Sequence, residues 1–195
     1  MAAKNNRNTA SSPARTSQVR QTITFELVTR LAPNAAVADK IATRFALEPV
    51  DYHAIREATE EQVGRSAQAL QSNVSETAMR IHLQRIVGAF VGSAHGAAIF
   101  YGNKVTRARD LTTSLANEDR DEDRDGVYGF ENKVARAQQF AAEAGLAAFA
   151  LLAAAEGAVH AYAEVTGDDW KPYEASAPAG NVSRQAAAAA MDAFN

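Results

Sequence analysis

Two stretches of this chain decide what it can fold into. From Ile86 to Gly102 it reads IVGAFVGSAHGAAIFYG, without a single Asp, Glu, Lys or Arg, and from Ala144 to Ala155 it reads AGLAAFALLAAA. Each lies inside a longer helical pattern, one from about Thr77 to Ala116 and the other from about Phe130 to Val165. A helix that is apolar on every side has to be buried, and alanine is the best helix former. A chain of 195 residues is long enough to enclose such a core in one domain. The expectation is a mainly α fold, a helical bundle built on a long antiparallel hairpin with residues 117–129 as its elbow.

Gly88, Gly92 and Gly96 recur every four residues in the first stretch, which places them on one helix face. A helical glycine costs roughly 1 kcal/mol relative to alanine. Three on one face therefore predict close backbone approach, with the Ala-rich second helix as the neighbour. Small residues at this spacing also occur between membrane helices. A span, however, needs about 20 apolar residues. The first stretch is shorter and holds His95, and Glu143 and Glu156 interrupt the second. No membrane partner is expected.

The remaining chain divides by composition. Residues 1–19 are Asn, Ser, Thr, Ala and Pro with scattered cations, a disordered basic arm. Residues 20–175 form the helical domain, and 176–195 an Ala-rich C-terminal tail or helix. In RQTITFELVTRL, Ile23, Phe25 and Leu27 alternate with Thr22, Thr24 and Glu26, so one short N-terminal strand is expected. Ile23, Leu27 and Leu31 also fit a helix face. Asn34 is placed to cap a helix reaching about Leu47, Asp51 to cap another with Ile55, Val63, Ala67 and Leu70 as its apolar stripe, and Ser75 to start the first long helix. Trp170 and Tyr173 stand in a polar loop after Gly167. They either fold back as a lid on the bundle or anchor a partner protein.

Chemistry is sparse. There is no cysteine, which excludes disulfides, thiol catalysis and thiolate metal sites and fits a reducing cytoplasm. The N-terminus lacks the apolar core of a secretory signal. Gly-x-Ser-x-Gly, Walker and dinucleotide-binding patterns are all missing, and no His-Glu-x-x-His spacing occurs among His53, His82, His95 and His160. His95 and His160 are expected as core histidines facing each other across the hairpin. No enzyme activity and no cofactor is expected.

Asp121 to Asn132, DEDRDGVYGFEN, resembles the first half of an EF-hand calcium loop. Asp121, Asp123 and Asp125 fall at loop positions 1, 3 and 5 and Gly126 at position 6, but Asn132 stands where a bidentate glutamate is required. Arg120 and Arg124 fit a solvated acidic turn better than a cation site.

What remains is binding. Residues 1–20 carry Lys4, Arg7, Arg15 and Arg20 and no acid, in a chain of net charge −3. A basic arm, a short strand and two helices follow the order of a ribbon-helix-helix protein, in which paired strands of a dimer read DNA. Arg15 and Arg20 would then contact phosphate, with Thr22 and Thr24 on the DNA face. The sequence is thus read as a non-enzymatic binding or regulatory protein, homo-oligomeric, with DNA as one partner class. The alternative is an oligomeric scaffold or protein-interaction module.

Overall fold

The computed structural model describes residues 22–117 and 124–172. Within them the chain forms five helices: α1 (Phe25–Leu31), α2 (Ala35–Phe45), α3 (Tyr52–Gln71), α4 (Glu76–Asn117) and α5 (Arg124–Thr166).

The start signals are local hydrogen bonds. Asn34 Oδ1 accepts from the amide of Val37, and Asp51 Oδ1 from that of Ala54, each at 3.0 Å. Ser75 Oγ accepts from Ala78 N at 3.4 Å. Each cap satisfies an amide that has no partner within its own helix. Helix α5 ends at Gly167, whose φ of 72° is the left-handed conformation that glycine adopts freely, with its amide bonded to the Ala163 carbonyl.

The expected strand is a helix. Thr24 Oγ1 accepts from Leu27 N at 3.2 Å and caps α1. Val28 is fully buried, with Ile23, Phe25 and Ala32 packed against the same core. The alternation of Ile23, Phe25 and Leu27 is too short to separate a period of 2 from one of 3.6, and the four-residue backbone bonds from Val28 N to the Thr24 carbonyl and from Ala32 N to the Val28 carbonyl settle it. The ribbon of a ribbon-helix-helix is therefore absent among the described residues.

Helices α4 and α5 run antiparallel along their lengths. Arg80 donates to the Thr166 carbonyl near one end, Tyr101 meets Gly145 in the middle, and Gln138 reaches Thr112 towards the elbow. The buried stripe of α4 is Met79, Leu83, Val87, Val91, Ala94 and Ala98. It meets an α5 surface made largely of alanine, of which Ala148, Ala153, Ala155 and Ala158 are fully buried. Helix α3 lies alongside α5 in the same direction, because Tyr52 contacts Phe149 and Glu156 while Glu60 contacts His160. Of the expected stripe, Val63 and Ala67 are buried and Ile55 and Leu70 are partly buried, and Thr59 joins them on the buried face. Helix α2 adds Ala38 and Ala42 to a smaller cluster with Leu146 and Phe149.

The glycines behave differently from expectation. A Cβ at Gly92 or Gly96 would meet nothing within 4 Å, and one at Gly88 would meet only the Trp170 ring. They do share a face, but it is not the one that carries Val87, Val91 and Ala94. Close approach falls at Gly157, where an added Cβ would lie 2.2 Å from the Arg56 carbonyl oxygen, and at Gly145, against the side chains of Tyr101 and Ile41.

Helix α5 starts at Arg124, six residues earlier than expected from the pattern at Phe130. Asp125, Gly126 and Val127 are therefore helical, whereas a calcium loop needs Gly126 in a sharp turn and the Val127 carbonyl turned to the ion. Asp121 and Asp123 lie outside the described residues. Among those described, Gly129–Thr166 is long and apolar enough to cross a membrane, and 72% of its most apolar window is buried within the protein, as in a core helix.

Candidate functional site

The polar chemistry of the bundle gathers along the crossing of α3 and α5. Tyr52, Arg56 and Glu60 recur every four residues on α3, and Glu156, His160 and Glu164 do the same on α5, so each set forms a stripe along its helix. Gly157 allows the two stripes to meet, since no side chain separates its backbone from the Arg56 carbonyl.

The pairs succeed one another along this seam. The Tyr52 hydroxyl donates to Glu156 Oε2, and its ring lies 4.8 Å from that of Phe149. One turn on, the Arg56 guanidinium sits 3.6 Å from Glu60 Oε2. The other oxygen of that carboxylate, Oε1, is 3.0 Å from His160 Nδ1, which in turn is 4.0 Å from Glu164 Oε1. Burial, the hydrogen bond to Glu156 and the charge of Glu156 raise the Tyr52 pKa well above the ordinary tyrosine value, against a smaller opposing effect of Arg56. The hydroxyl is therefore a fixed donor to Glu156 and not a base.

None of this seam is obvious in the sequence. Glu60 and His160 come together only because α3 packs parallel to α5. His160 does not face His95 across the hairpin, and none of the four histidines is fully buried. The four-residue pairs Arg56–Glu60 and His160–Glu164 were the local traces of the seam.

Large apolar side chains are also exposed on both helices of the hairpin. Ile99 and Phe100 of α4 are 45% and 53% exposed, and Phe140 of α5 is 58% exposed. Arg136, Phe140, Glu143 and Ala147 are all exposed at helical spacing, so α5 presents one outward face here. Lys104 Nζ stands 4.6 Å above the Phe100 ring. Nearby, a cleft of about 220 Å³ opens between α2 and the hairpin, lined by Ile41, Phe45, Tyr101, Val105 and Ala141 among others.

The residues expected to bind partners are placed as follows. Arg15 and Arg20 lie outside the described residues, as does Tyr173. Thr22 is exposed, and Thr24 is engaged as the α1 cap. Trp170 is folded back on α4: its indole Nε1 donates to the Gln84 carbonyl at 3.3 Å, its ring covers Gly88, and Gln84 Nε2 donates to the Lys171 carbonyl at 3.0 Å. Arg80 adds an ion pair to Asp168. Trp170 is thus a lid residue, held by the helix it covers.

No family model matches the chain, and neither a curated protein nor a solved structure matches it.

Proposed function

We propose that this chain is a non-enzymatic helical interaction protein that associates with a second copy of itself through the exposed elbow half of the α4–α5 hairpin. The observation that carries this reading is the exposure of Phe100 and Phe140, each more than half open to solvent on a long helix. Aromatic side chains are the usual anchors of protein interfaces. The outward face of α5 also carries Arg136 and Glu143 beside Phe140, charges of both signs that a two-fold partner can satisfy reciprocally. A catalytic reading has less to rest on: the α3–α5 seam is packed against itself, and Tyr52 is committed to Glu156.

Light scattering on the full chain across a concentration series tests the proposal. A dimer that Phe100→Glu with Phe140→Glu converts to monomer supports it. A wild-type protein that stays monomeric at high micromolar concentration overturns it.

Nucleic-acid contact through the N-terminal arm is the second reading. It rests on the acid-free run of Lys4, Arg7, Arg15 and Arg20 alone, since α1 stands where the ribbon was expected and Thr24 is used as a cap.

A further inference from the structure

The lower end of the α3–α5 seam holds a donor set that self-association does not use. The ligand atoms of Glu60, His160 and Glu164 all lie within 4.8 Å of one another. They comprise one imidazole nitrogen and two carboxylate oxygens, from two helices locked together at Gly157 one turn away. We propose that Glu60, His160 and Glu164 form a divalent transition-metal site, with water completing the coordination sphere.

The geometry is close to what such an ion needs. Zinc binds nitrogen and oxygen at about 2.0–2.2 Å, which sets neighbouring donors roughly 3.0–3.5 Å apart. His160 Nδ1 and Glu60 Oε1 already stand 3.0 Å apart, and Glu164 Oε1 at 4.0 Å closes the remainder by rotation of an exposed side chain. Arg56 holds Glu60 by Oε2 and leaves Oε1 turned towards His160, the orienting role that neighbours of a metal ligand commonly play. The same guanidinium is a positive charge near the site and lowers the affinity for any cation. An imidazole in the set selects zinc and its neighbours in the transition series over magnesium and calcium, which prefer oxygen alone. The incoming ion takes the place between Nδ1 and Glu60, and the neutral imidazole then carries its N–H on Nε2.

Calorimetric titration of the full chain with zinc chloride tests this, with magnesium chloride titrated in parallel. The expected result is one saturable zinc per chain, weakened at least about tenfold by His160→Ala and by Glu164→Gln, unchanged by His82→Ala, and not reproduced by magnesium. The side chains of His160 and Glu164 are 50% and 61% exposed, so neither change disturbs the core, and circular dichroism verifies that each variant is folded. Absence of saturable zinc binding overturns the proposal. So does a zinc site that survives both substitutions, which would place the ion elsewhere, or magnesium binding of equal strength at the same residues.

Discussion

A methyl group on Gly157 would lie 2.2 Å from the carbonyl oxygen of Arg56. The obstacle is backbone, in the second turn of α3, and cannot swing aside as a side chain can. Gly157→Ala therefore has to push α3 and α5 apart along the seam that holds Tyr52 against Glu156 and Glu60 against His160. Overpacking of this kind costs about 1–3 kcal/mol, occasionally more, and outweighs the roughly 1 kcal/mol that alanine gains in a helix. The melting temperature is expected to fall by several degrees, and a differential scan checks it. An unchanged or raised value would mean that the helices do not touch at this glycine.

Gly92 and Gly96 should respond in the opposite sense. An added Cβ at either position meets open space. Alanine there supplies helix propensity without a clash, so Gly92→Ala with Gly96→Ala is expected to stabilise the monomer by about 1–2 kcal/mol in total. Chemical denaturation should show a higher midpoint with an unchanged slope. A lower midpoint would mean that something packs on this face.

The glycine positions mark what sequence spacing can and cannot convey. Four-residue spacing correctly put Gly88, Gly92 and Gly96 on one face. It could not say that the Val87, Val91 and Ala94 stripe is the buried one. Gly157, alone among alanines, gave no periodic signal, because its purpose lies in Arg56, a residue far away in the chain. The caps at Asn34, Asp51 and Ser75 were legible because each acts within one turn. The two long helices were legible because their uncharged stretches exceed any local ambiguity. The segment from Ile23 to Leu27 was not, being too short for its period to be read. The Glu60–His160 pair depends on the direction in which α3 packs on α5, which no local pattern records.

Ala46 ends α2 with a φ of 51°, the left-handed conformation that costs an L-residue roughly 1 kcal/mol. The Leu47 amide returns to the Ala42 carbonyl at 3.0 Å, so the turn is a formed cap and the conformation is fixed by it. Ala46 is exposed. Ala46→Gly is expected to stabilise the fold by about 0.5–1 kcal/mol, read as a rise in the denaturation midpoint. Destabilisation would mean that the cap is not left-handed in solution.

Tyr52 makes stability depend on alkaline pH. An unfolded tyrosine titrates near 10, whereas burial first, and then Glu156, raises the folded value above that. Above about pH 10 the unfolded chain has lost a proton that the folded chain keeps, so unfolding releases a proton and stability falls as pH rises. The Tyr52 contribution is complete below that range and declines within it. Tyr101, raised by its own burial, adds to the same trend. Tyr52→Phe should be less stable than wild type at neutral pH, through the lost bond to Glu156, yet show a shallower decline from about pH 9.5 to 11. Parallel pH curves for the two proteins would sink the assignment.

The basic arm supports the last prediction. Lys4, Arg7, Arg15 and Arg20 lie among residues 1–20 with no acid, in a chain that is negative overall. Among the described residues the first fully buried side chain is Val28. Deletion of residues 1–20 is therefore expected to leave the melting temperature unaltered. If the arm contacts nucleic acid, the contacts are to phosphate and only weakly dependent on sequence, because the strand that would carry base readout is instead α1. Binding of duplex DNA at low salt should then be weakened by the deletion. Its dependence on the logarithm of salt concentration should flatten by roughly 1 unit for each phosphate contact removed. Fluorescence anisotropy with a labelled duplex across a salt series reads both quantities. Full-length protein that ignores DNA at low salt, or binding that survives the deletion, removes the arm as a nucleic-acid contact and leaves self-association through the elbow half of the hairpin as the function to pursue.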